Sequence, residues 1–235
     1  MLKIISLDHE VSGEQVTDIF PIFPTPVIVG QFKQQKKWKK IFKQQFDNVD
    51  RRPDTWTQPL NTSFPQIEDD DPYVSPDIRD DIQSDLLMYV EDIMKEYNMP
   101  SSVFFSEFWY NAYYSGQGQE NHDHLSEVNH NPFWSGIYFC RNCFPGSLTL
   151  SRREQAFRLQ QYCDWDNTDP RLGQYYQTSI QPPISDGTIV MFPPHVLHQV
   201  ITDDRNEKNM RLTFSFNIYR EKMKVTLSNK KTIEV

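Results

Sequence analysis

The chain has 235 residues, of which 37% are hydrophobic and 14% aromatic, and a formal net charge of −8 at pH 7. This content fits one folded, β-rich protein of 1–235 with a sizeable core. The acidic balance argues against a nucleic-acid partner held by bulk electrostatics. No apolar run approaches the roughly 20 residues that span a bilayer, so we expect a cytoplasmic protein without a membrane partner.

Cysteine usage agrees with a reducing compartment. Cys140, Cys143 and Cys163 make an odd number, which does not suit a disulfide framework. Cys140 and Cys143 form a CxxC, which is the pattern of a zinc half-site or a redox pair. Because the chain has no second CxxC, we interpret the pair as two cysteines around a turn that leaves a strand.

The first hundred residues predict an edge strand, a helix, a loop and a second helix. Residues 22–30 contain prolines that cannot donate to a ladder, which favours an edge strand. Residues 34–49 predict an amphipathic helix whose lysines we interpret as a solvated face. Residues 50–74 are polar and predict a long loop. A serine followed by a proline starts residues 75–97 as a helix.

From residue 103 onward the pattern is β throughout. Eight short strands after two helices indicate a closed or two-layered antiparallel fold, a jelly roll. We therefore expect a mainly β protein in which residues 100–222 form the core, and 1–99 supply the edge strand, the loop and two helices packed outside one sheet. The predicted strands are 103–114, 134–140, 146–151, 156–163, 174–180, 187–192, 197–202 and 209–220.

A pair of histidines follows a turn in this β region. Residues two apart on an extended chain share a face, so His122 and His124 project together while Asp123 points away. Two neighbouring imidazoles are what a metal site needs from one strand. The third ligand must come from elsewhere, and His195 and His198 follow a buried strand downstream.

An arginine stands at the start of a strongly alternating strand, 209–220. Arg211 and Thr213 share the face opposite the apolar side chains. A buried guanidinium needs an anion, and a small-molecule carboxylate would provide one. The alternative is a surface ion pair with Asp203 or Asp204.

The order of these motifs resembles that of the 2-oxoglutarate/Fe(II) oxygenases, and more narrowly a small bacterial and phage branch close to the prolyl-hydroxylase-like group. The resemblance covers roughly residues 20–30 and 100–220. The matching motifs are Phe23-Pro-Thr-Pro26, Tyr114-x-Gly116, His122-x-His124, Ser135-Gly-Ile-Tyr-Phe139, Asp186-Gly187, Phe192-Pro193, His198 and Arg211.

The resemblance implies a double-stranded β-helix that uses Fe(II), 2-oxoglutarate and O2 to hydroxylate a substrate, either a protein side chain or a small molecule. It implies metal ligation by His122, His124 and His198. The family's usual first pair is His-x-Asp, which leaves two further readings. Asp123 could bind with His198 and one histidine of the pair, or Glu120 could join His122.

The resemblance also implies a co-substrate site. Arg211 would pair with the distal carboxylate of 2-oxoglutarate, and Thr213 would donate a hydrogen bond to it. Tyr114 and Tyr138 would make weaker contacts, and core aromatic residues are their alternative role.

Two other functions fit the same residues. One is a jelly-roll structural or interaction protein, for instance a virion component. The other is a cupin-like metalloenzyme with three histidines that does not use 2-oxoglutarate. Arg211 has no role in the cupin-like metalloenzyme. We also expect that the protein is cytoplasmic, or phage-encoded and expressed in the host cytoplasm, and that it could form a homo-oligomer.

Overall fold

The computed structural model describes residues 25–46, 61–64, 67–100, 102–114, 117–125, 131–151, 179–200, 210–220, 224–226 and 232–234. Two helices and twelve strands lie in these ranges. They are β1 (Ile28–Gln31), α1 (Gln35–Gln45), β2 (Asn61–Thr62), α2 (Pro76–Glu96), β3 (Val103–Tyr113), β4 (Gln119–His122), β5 (Trp134–Arg141), β6 (Leu148–Ser151), β7 (Ser179–Ile180), β8 (Thr188–Phe192), β9 (Leu197–Val200), β10 (Arg211–Arg220), β11 (Lys224–Thr226) and β12 (Thr232–Glu234).

The strands form two antiparallel sheets. In the described residues the major sheet has the order β1-β8-β5-β10-β3-β2 and the minor sheet the order β4-β9-β6-β7, while β11 and β12 pair with each other. The sheets face each other, because Phe139 and Phe192 of the major sheet share one apolar cluster with Leu148 and Leu150 of the minor sheet. This architecture confirms the predicted jelly roll with two outer helices.

Strand β10 shows why the sequence specifies this arrangement. Its residues from Arg211 to Ile218 are all buried, so both faces of the strand are covered. The apolar side chains meet the helices: the Phe214 ring lies 4.6 Å from that of Phe42 in α1. The polar side chains alternate with them and therefore line the space between the two sheets.

One glycine sets how closely β5 and β10 pack. Gly136 pairs with Phe216 in the β10–β5 register. A Cβ built at Gly136 would lie 2.3 Å from the Phe216 ring, which is closer than two carbon atoms can approach. The missing side chain therefore makes room for that ring in the core beneath the helices.

The helices pack against the outer face of the major sheet. Trp38 and Phe42 of α1, and Leu86 and Val90 of α2, belong to the same buried cluster as Phe214. Helix α2 begins at Pro76 as predicted, although Ser75 makes no side-chain capping bond. Neither helix in the described part of the chain is long and apolar enough to cross a membrane.

The predicted elements correspond closely to the observed ones, with three differences. Predicted strand 156–163 lies outside the described residues, as does 174–178. The loop predicted at 50–74 contributes β2, which pairs with β3. Strands β4, β11 and β12 were not predicted; the four residues of β4 are polar and carry no apolar alternation. The extent of the domain, 1–235, stays a prediction.

Candidate metal and co-substrate site

Three histidines converge at one end of the space between the sheets. His122 in β4 and His198 in β9 are cross-strand partners, with ring centroids 4.1 Å apart. His124 follows β4, and its backbone N–H donates to the Pro194 carbonyl at 2.9 Å. Its ring lies 5.6 Å from that of His122 and 4.9 Å from that of His198. One ligand atom from each residue lies within 4.8 Å of the others.

Hydrogen bonds fix the tautomer of two of these rings. The Nδ1 atom of His122 lies 2.8 Å from the Glu120 carbonyl oxygen, and that of His198 lies 3.2 Å from the Val196 carbonyl oxygen. A carbonyl oxygen can only accept, so each Nδ1 carries the proton. The unprotonated Nε2 atoms are therefore the ones available to a metal.

His124 is held by the opposite sheet. Its Nδ1 atom lies 2.6 Å from Asn217 Oδ1 in β10 and 2.8 Å from Ser135 Oγ in β5. The amide oxygen is an acceptor, so His124 also carries its proton on Nδ1. Although His124 continues from the minor sheet, its orientation is set by the major sheet.

All three rings favour the neutral form. Burial lowers the pKa of His124 to about 4, although the hydrogen bond to Asn217 opposes the shift. Burial also lowers the pKa of His122, and it lowers that of His198 well below its ordinary value, with the other two rings adding to the effect. Neutral imidazoles are the form that binds a metal ion.

The other candidate ligands lie apart from this cluster. In the described residues, neither Asp123 nor Glu120 joins the group of donor atoms within 4.8 Å. The Asp123 carboxylate accepts a hydrogen bond from the Leu125 backbone N–H at 3.1 Å, which turns it back on its own chain. His195 is exposed, as expected for a residue on the approach loop. His9 and His130 lie outside the described residues.

The donor set suits a divalent transition metal. His122, His124 and His198 would hold such an ion through three imidazole nitrogens and would leave room for co-substrate and O2, as the facial triads of non-haem iron enzymes do. Because the imidazoles carry no charge, they leave the full charge of Fe(II) to be balanced by another ligand. A dianion such as 2-oxoglutarate would balance it.

Arg211 lies at the end of β10 that is away from Asn217. It is 4% exposed, and its guanidinium carbon lies 4.4 Å from the Tyr113 ring centre and 5.3 Å from that of Phe144. Thr213 is buried on the same face of the strand. The structure therefore places both predicted co-substrate residues on the interior face that also carries Asn217.

Two tyrosines predicted as co-substrate contacts lie in or against the apolar core, which is their alternative role. Tyr138 lies in the cluster beneath the helices, where its hydroxyl donates to Gln35 Oε1 and its ring meets Phe32 edge-on. Tyr114 packs against the same cluster. Tyr138 therefore has the helix-facing parity of β5, and Tyr114 lies one residue beyond the end of β3.

Tyr113 is the tyrosine that lies beside Arg211, and the family motifs did not predict it. It is the cross-strand partner of Arg211, and its hydroxyl lies 3.2 Å from Gln119 Oε1, to which it donates. Burial raises the pKa of the Tyr113 phenol, which keeps it a donor. Side chains alternate between the two faces of β3, and the residue opposite Arg211 in the pair β10–β3 lies on the same face as Arg211. That alternation is the signal that would have identified Tyr113.

A row of polar side chains joins the two ends of the site. The Asn111 amide nitrogen donates to Ser215 Oγ at 3.2 Å. Asn111 Oδ1 and Trp109 Nε1 are buried without a hydrogen-bond partner among the described residues. The Trp109 ring lies 5.9 Å from that of His124. Buried polar atoms are rarely left unpaired, so this row has the character of a ligand-binding surface.

The CxxC does not form a metal site in the described part of the chain. Cys140 is buried beneath the helices, and the Cys143 thiol donates to the Arg141 carbonyl at 3.3 Å. Burial raises the pKa of Cys140 to about 12, so it stays a thiol. These positions agree with a turn that leaves strand β5, and Cys163 lies outside the described residues.

Comparison with known proteins agrees with this geometry. Residues 107–217, which run from β3 to β10, match the family model described as putative 2OG-Fe(II) oxygenase. No curated protein matches the chain significantly.

Solved structures share the fold. One is a prolyl-4-hydroxylase from Pseudomonas putida, at 11% identity and a TM-score of 0.51, over 84% of this chain and 94% of that one. Another is HygX from Streptomyces hygroscopicus with nickel and 2-oxoglutarate bound, at 11% identity and a TM-score of 0.53, over 89% and 92% of the two chains. The narrower phage-type branch stays a prediction. The 107–217 segment of this chain thus matches the 2OG-Fe(II) oxygenase family, and the shared fold and the three-histidine cluster agree with that match.

Proposed function

We propose that this protein is a 2-oxoglutarate-dependent Fe(II) dioxygenase that hydroxylates its substrate and holds iron with His122, His124 and His198. The observation that carries the proposal is the convergence of three neutral imidazoles, each with Nδ1 engaged and Nε2 left for a metal. The substrate is a protein side chain or a small molecule, and association of the chain into homo-oligomers stays a prediction.

The chemistry that the bound iron supplies is the oxidative decarboxylation of 2-oxoglutarate by O2, which gives succinate, CO2 and a hydroxylated substrate. The residues of the chain bind and orient the co-substrate. Arg211 offers two parallel N–H donors to the distal carboxylate of the co-substrate, Thr213 offers a hydroxyl group beside it, and the Tyr113 ring restrains the guanidinium. Together these donors place the co-substrate along the row that leads to the histidines.

Asn111 and Trp109 act between the two ends of that row. Their unpaired buried atoms, an amide oxygen and an indole N–H, would be satisfied by a bound polar molecule. The apolar cluster that contains Phe139, Leu148 and Phe192 fills one part of the space between the sheets. That packing keeps bulk water out of this part of the space.

A second candidate is a three-histidine metalloenzyme that does not use 2-oxoglutarate. The observation that favours it is the donor set itself, since no carboxylate of the described residues joins the cluster. This function gives no role to the buried Arg211 or to the buried polar atoms of Asn111 and Trp109. We therefore prefer the first function.

The test is an anaerobic titration of the purified protein with Fe(II) and then 2-oxoglutarate, followed by visible absorption. The expected result is the metal-to-ligand charge-transfer band of an iron-bound 2-oxo acid. His198→Ala should abolish the band, and the matched variant His195→Ala, which alters an exposed histidine three residues away, should retain it. Metal binding without a band favours the second candidate. Neither band nor metal binding contradicts both and leaves a structural jelly roll.

A further inference from the structure

The amide of Asn217 lies between His124 and a carboxylate of the neighbouring strand. Its Oδ1 atom lies 2.6 Å from His124 Nδ1 and accepts from Ser135 Oγ at 2.8 Å. Its Nδ2 atom donates to Glu107 Oε2 in β3. The result is a continuous chain of hydrogen bonds from the histidine to the carboxylate.

The donors and acceptors in this chain can be ordered in one direction only. An ionised carboxylate accepts but does not donate, so the Asn217 amide must turn its NH2 group toward Glu107. Its oxygen then faces His124 and requires a donor, which places the imidazole proton on Nδ1. The lone pair of His124 Nε2 is consequently directed away from the amide. Glu107 thus determines the tautomer of His124 through one intervening side chain.

The other two histidines are supported differently. His122 and His198 each donate to a backbone carbonyl oxygen, which is uncharged. His124, by contrast, donates into a network of described side chains that ends in the Glu107 carboxylate. His124 is also the position at which the 2-oxoglutarate/Fe(II) oxygenases usually carry an aspartate. In this chain the negative charge is on Glu107, which is hydrogen-bonded to His124 through Asn217.

We propose that Glu107 and Asn217 form a positioning relay, which holds His124 as an Nε2 metal ligand and returns to the site the negative charge that a carboxylate ligand would bring. The inference rests on the proposed metal site. Hydrogen-bonded partners of this kind orient a ligating histidine and raise its basicity. Neither residue is itself a ligand.

The test measures the dissociation constant of Fe(II) for the full-length apoprotein under anaerobic conditions. Asn217→Leu should weaken binding about 10- to 100-fold, the range found when such partners of metal ligands are removed. Glu107→Gln should weaken it less, by about 3- to 10-fold, because the new amide oxygen can still accept from Asn217 and only the charge is lost. Glu68→Gln, the same change at an exposed position, should have no effect.

A rescue separates the relay from a loss of folding. In Asn217→Asp the new carboxylate faces Glu107, and the two like charges should weaken metal binding. Adding Glu107→Gln removes the clash and leaves one carboxylate directly on His124. The double variant should therefore bind Fe(II) within about threefold of the wild type, by the same partner logic. Thermal unfolding of each apoprotein shows whether it is folded. If Asn217→Leu fails to fold, the Fe(II) affinity of Glu107→Gln still tests the relay.

The outcomes distinguish the two proposals. If the wild type and Glu68→Gln bind Fe(II) but Glu107→Gln binds equally well and does not rescue Asn217→Asp, the relay is wrong and the metal site stands. If the wild type binds no Fe(II), the proposed function fails, and the relay fails with it.

Discussion

Arg211 and Tyr113 occupy opposing positions in the antiparallel pair β10–β3, with the guanidinium carbon 4.4 Å from the centre of the phenol ring. The contact is a cation–π interaction inside the protein, where low exposure strengthens it. It restrains the guanidinium at the far end of the polar row. The first prediction follows from this position.

Arg211→Ala should raise the dissociation constant of 2-oxoglutarate at least about tenfold, because a charge-assisted hydrogen bond contributes roughly 1.5–3 kcal/mol. The affinity for Fe(II) alone should change little, since Arg211 is not among the metal-binding candidates. Calorimetric titration of both ligands checks this. The matched control is Arg220→Ala, which removes an exposed arginine from the other end of the same strand. Unchanged 2-oxoglutarate affinity in Arg211→Ala would contradict the co-substrate site.

Tyr113 and Tyr138 should respond in opposite ways to removal of the hydroxyl. Tyr113→Phe should weaken 2-oxoglutarate binding, because the hydroxyl bond to Gln119 Oε1 holds the ring that restrains the Arg211 guanidinium. Tyr138→Phe should leave that affinity unchanged and lower the free energy of unfolding by about 0.5–1.5 kcal/mol, the usual contribution of an intramolecular hydrogen bond, here a partly buried one to Gln35. Co-substrate titration and chemical denaturation of both variants measure the two effects. An exchange of the two results would mean that Tyr138 is the residue that contacts the co-substrate.

The two carboxylates near the histidines should not be needed for metal binding. Asp123→Asn and Glu120→Gln should each hold Fe(II) within about threefold of the wild type, whereas His124→Ala should lose at least about tenfold, by comparison with losses at partners of metal ligands. The reason is that neither carboxylate joins the cluster of donor atoms. Competition with a chromogenic chelator gives the three constants. A loss at Asp123 comparable to that at His124 would favour the histidine–aspartate alternative.

The thiol of Cys140 should make stability fall at high pH. Burial raises its pKa in the folded protein to about 12, against an ordinary value near 9 in the unfolded chain. Between these values the unfolded chain loses the proton and the folded protein keeps it. The contribution of Cys140 is therefore complete below pH 9 and is lost as the pH rises through 12.

Comparison of unfolding midpoints for the wild type and Cys140→Ala between pH 8 and 11 measures this contribution. The wild type should lose more stability over that range than the variant. Peptide mapping after alkylation at pH 8 should show Cys140 unmodified until the protein unfolds. Rapid alkylation of Cys140 in the folded protein would contradict the assignment.

The sequence predicted most of the strands, because their faces differ sharply. In β10 the alternation of apolar and polar residues predicted that Arg211 and Thr213 share one face, and both are buried on that face. His122 and His124 were predicted as a pair from the same two-residue period. Strand β4 itself was not predicted, since its residues are polar. It is a strand because its backbone pairs with β9, and it buries no apolar alternation that the sequence could show.

The side chains that link different strands could not be predicted. Tyr113 was passed over for Tyr114 because a motif match fixes a position to within one residue, while a one-residue shift on a strand reverses the face. The contact between Asn217 and Glu107 joins residues 110 positions apart in the sequence. It depends on the register of β10 with β3, which local patterns do not encode.

The two sheets contribute unequally to the histidine cluster, and this has a mechanical consequence. His122 and His198 belong to the short strands of the minor sheet, while His124 is held by Ser135 and Asn217 of the long, helix-backed sheet. A divalent ion bound by all three rings would therefore cross-link the layers at their open rim. Loading with metal would slow amide hydrogen exchange in β4 and β9 far more than in β5 and β10, whose packing against the helices already holds them closed.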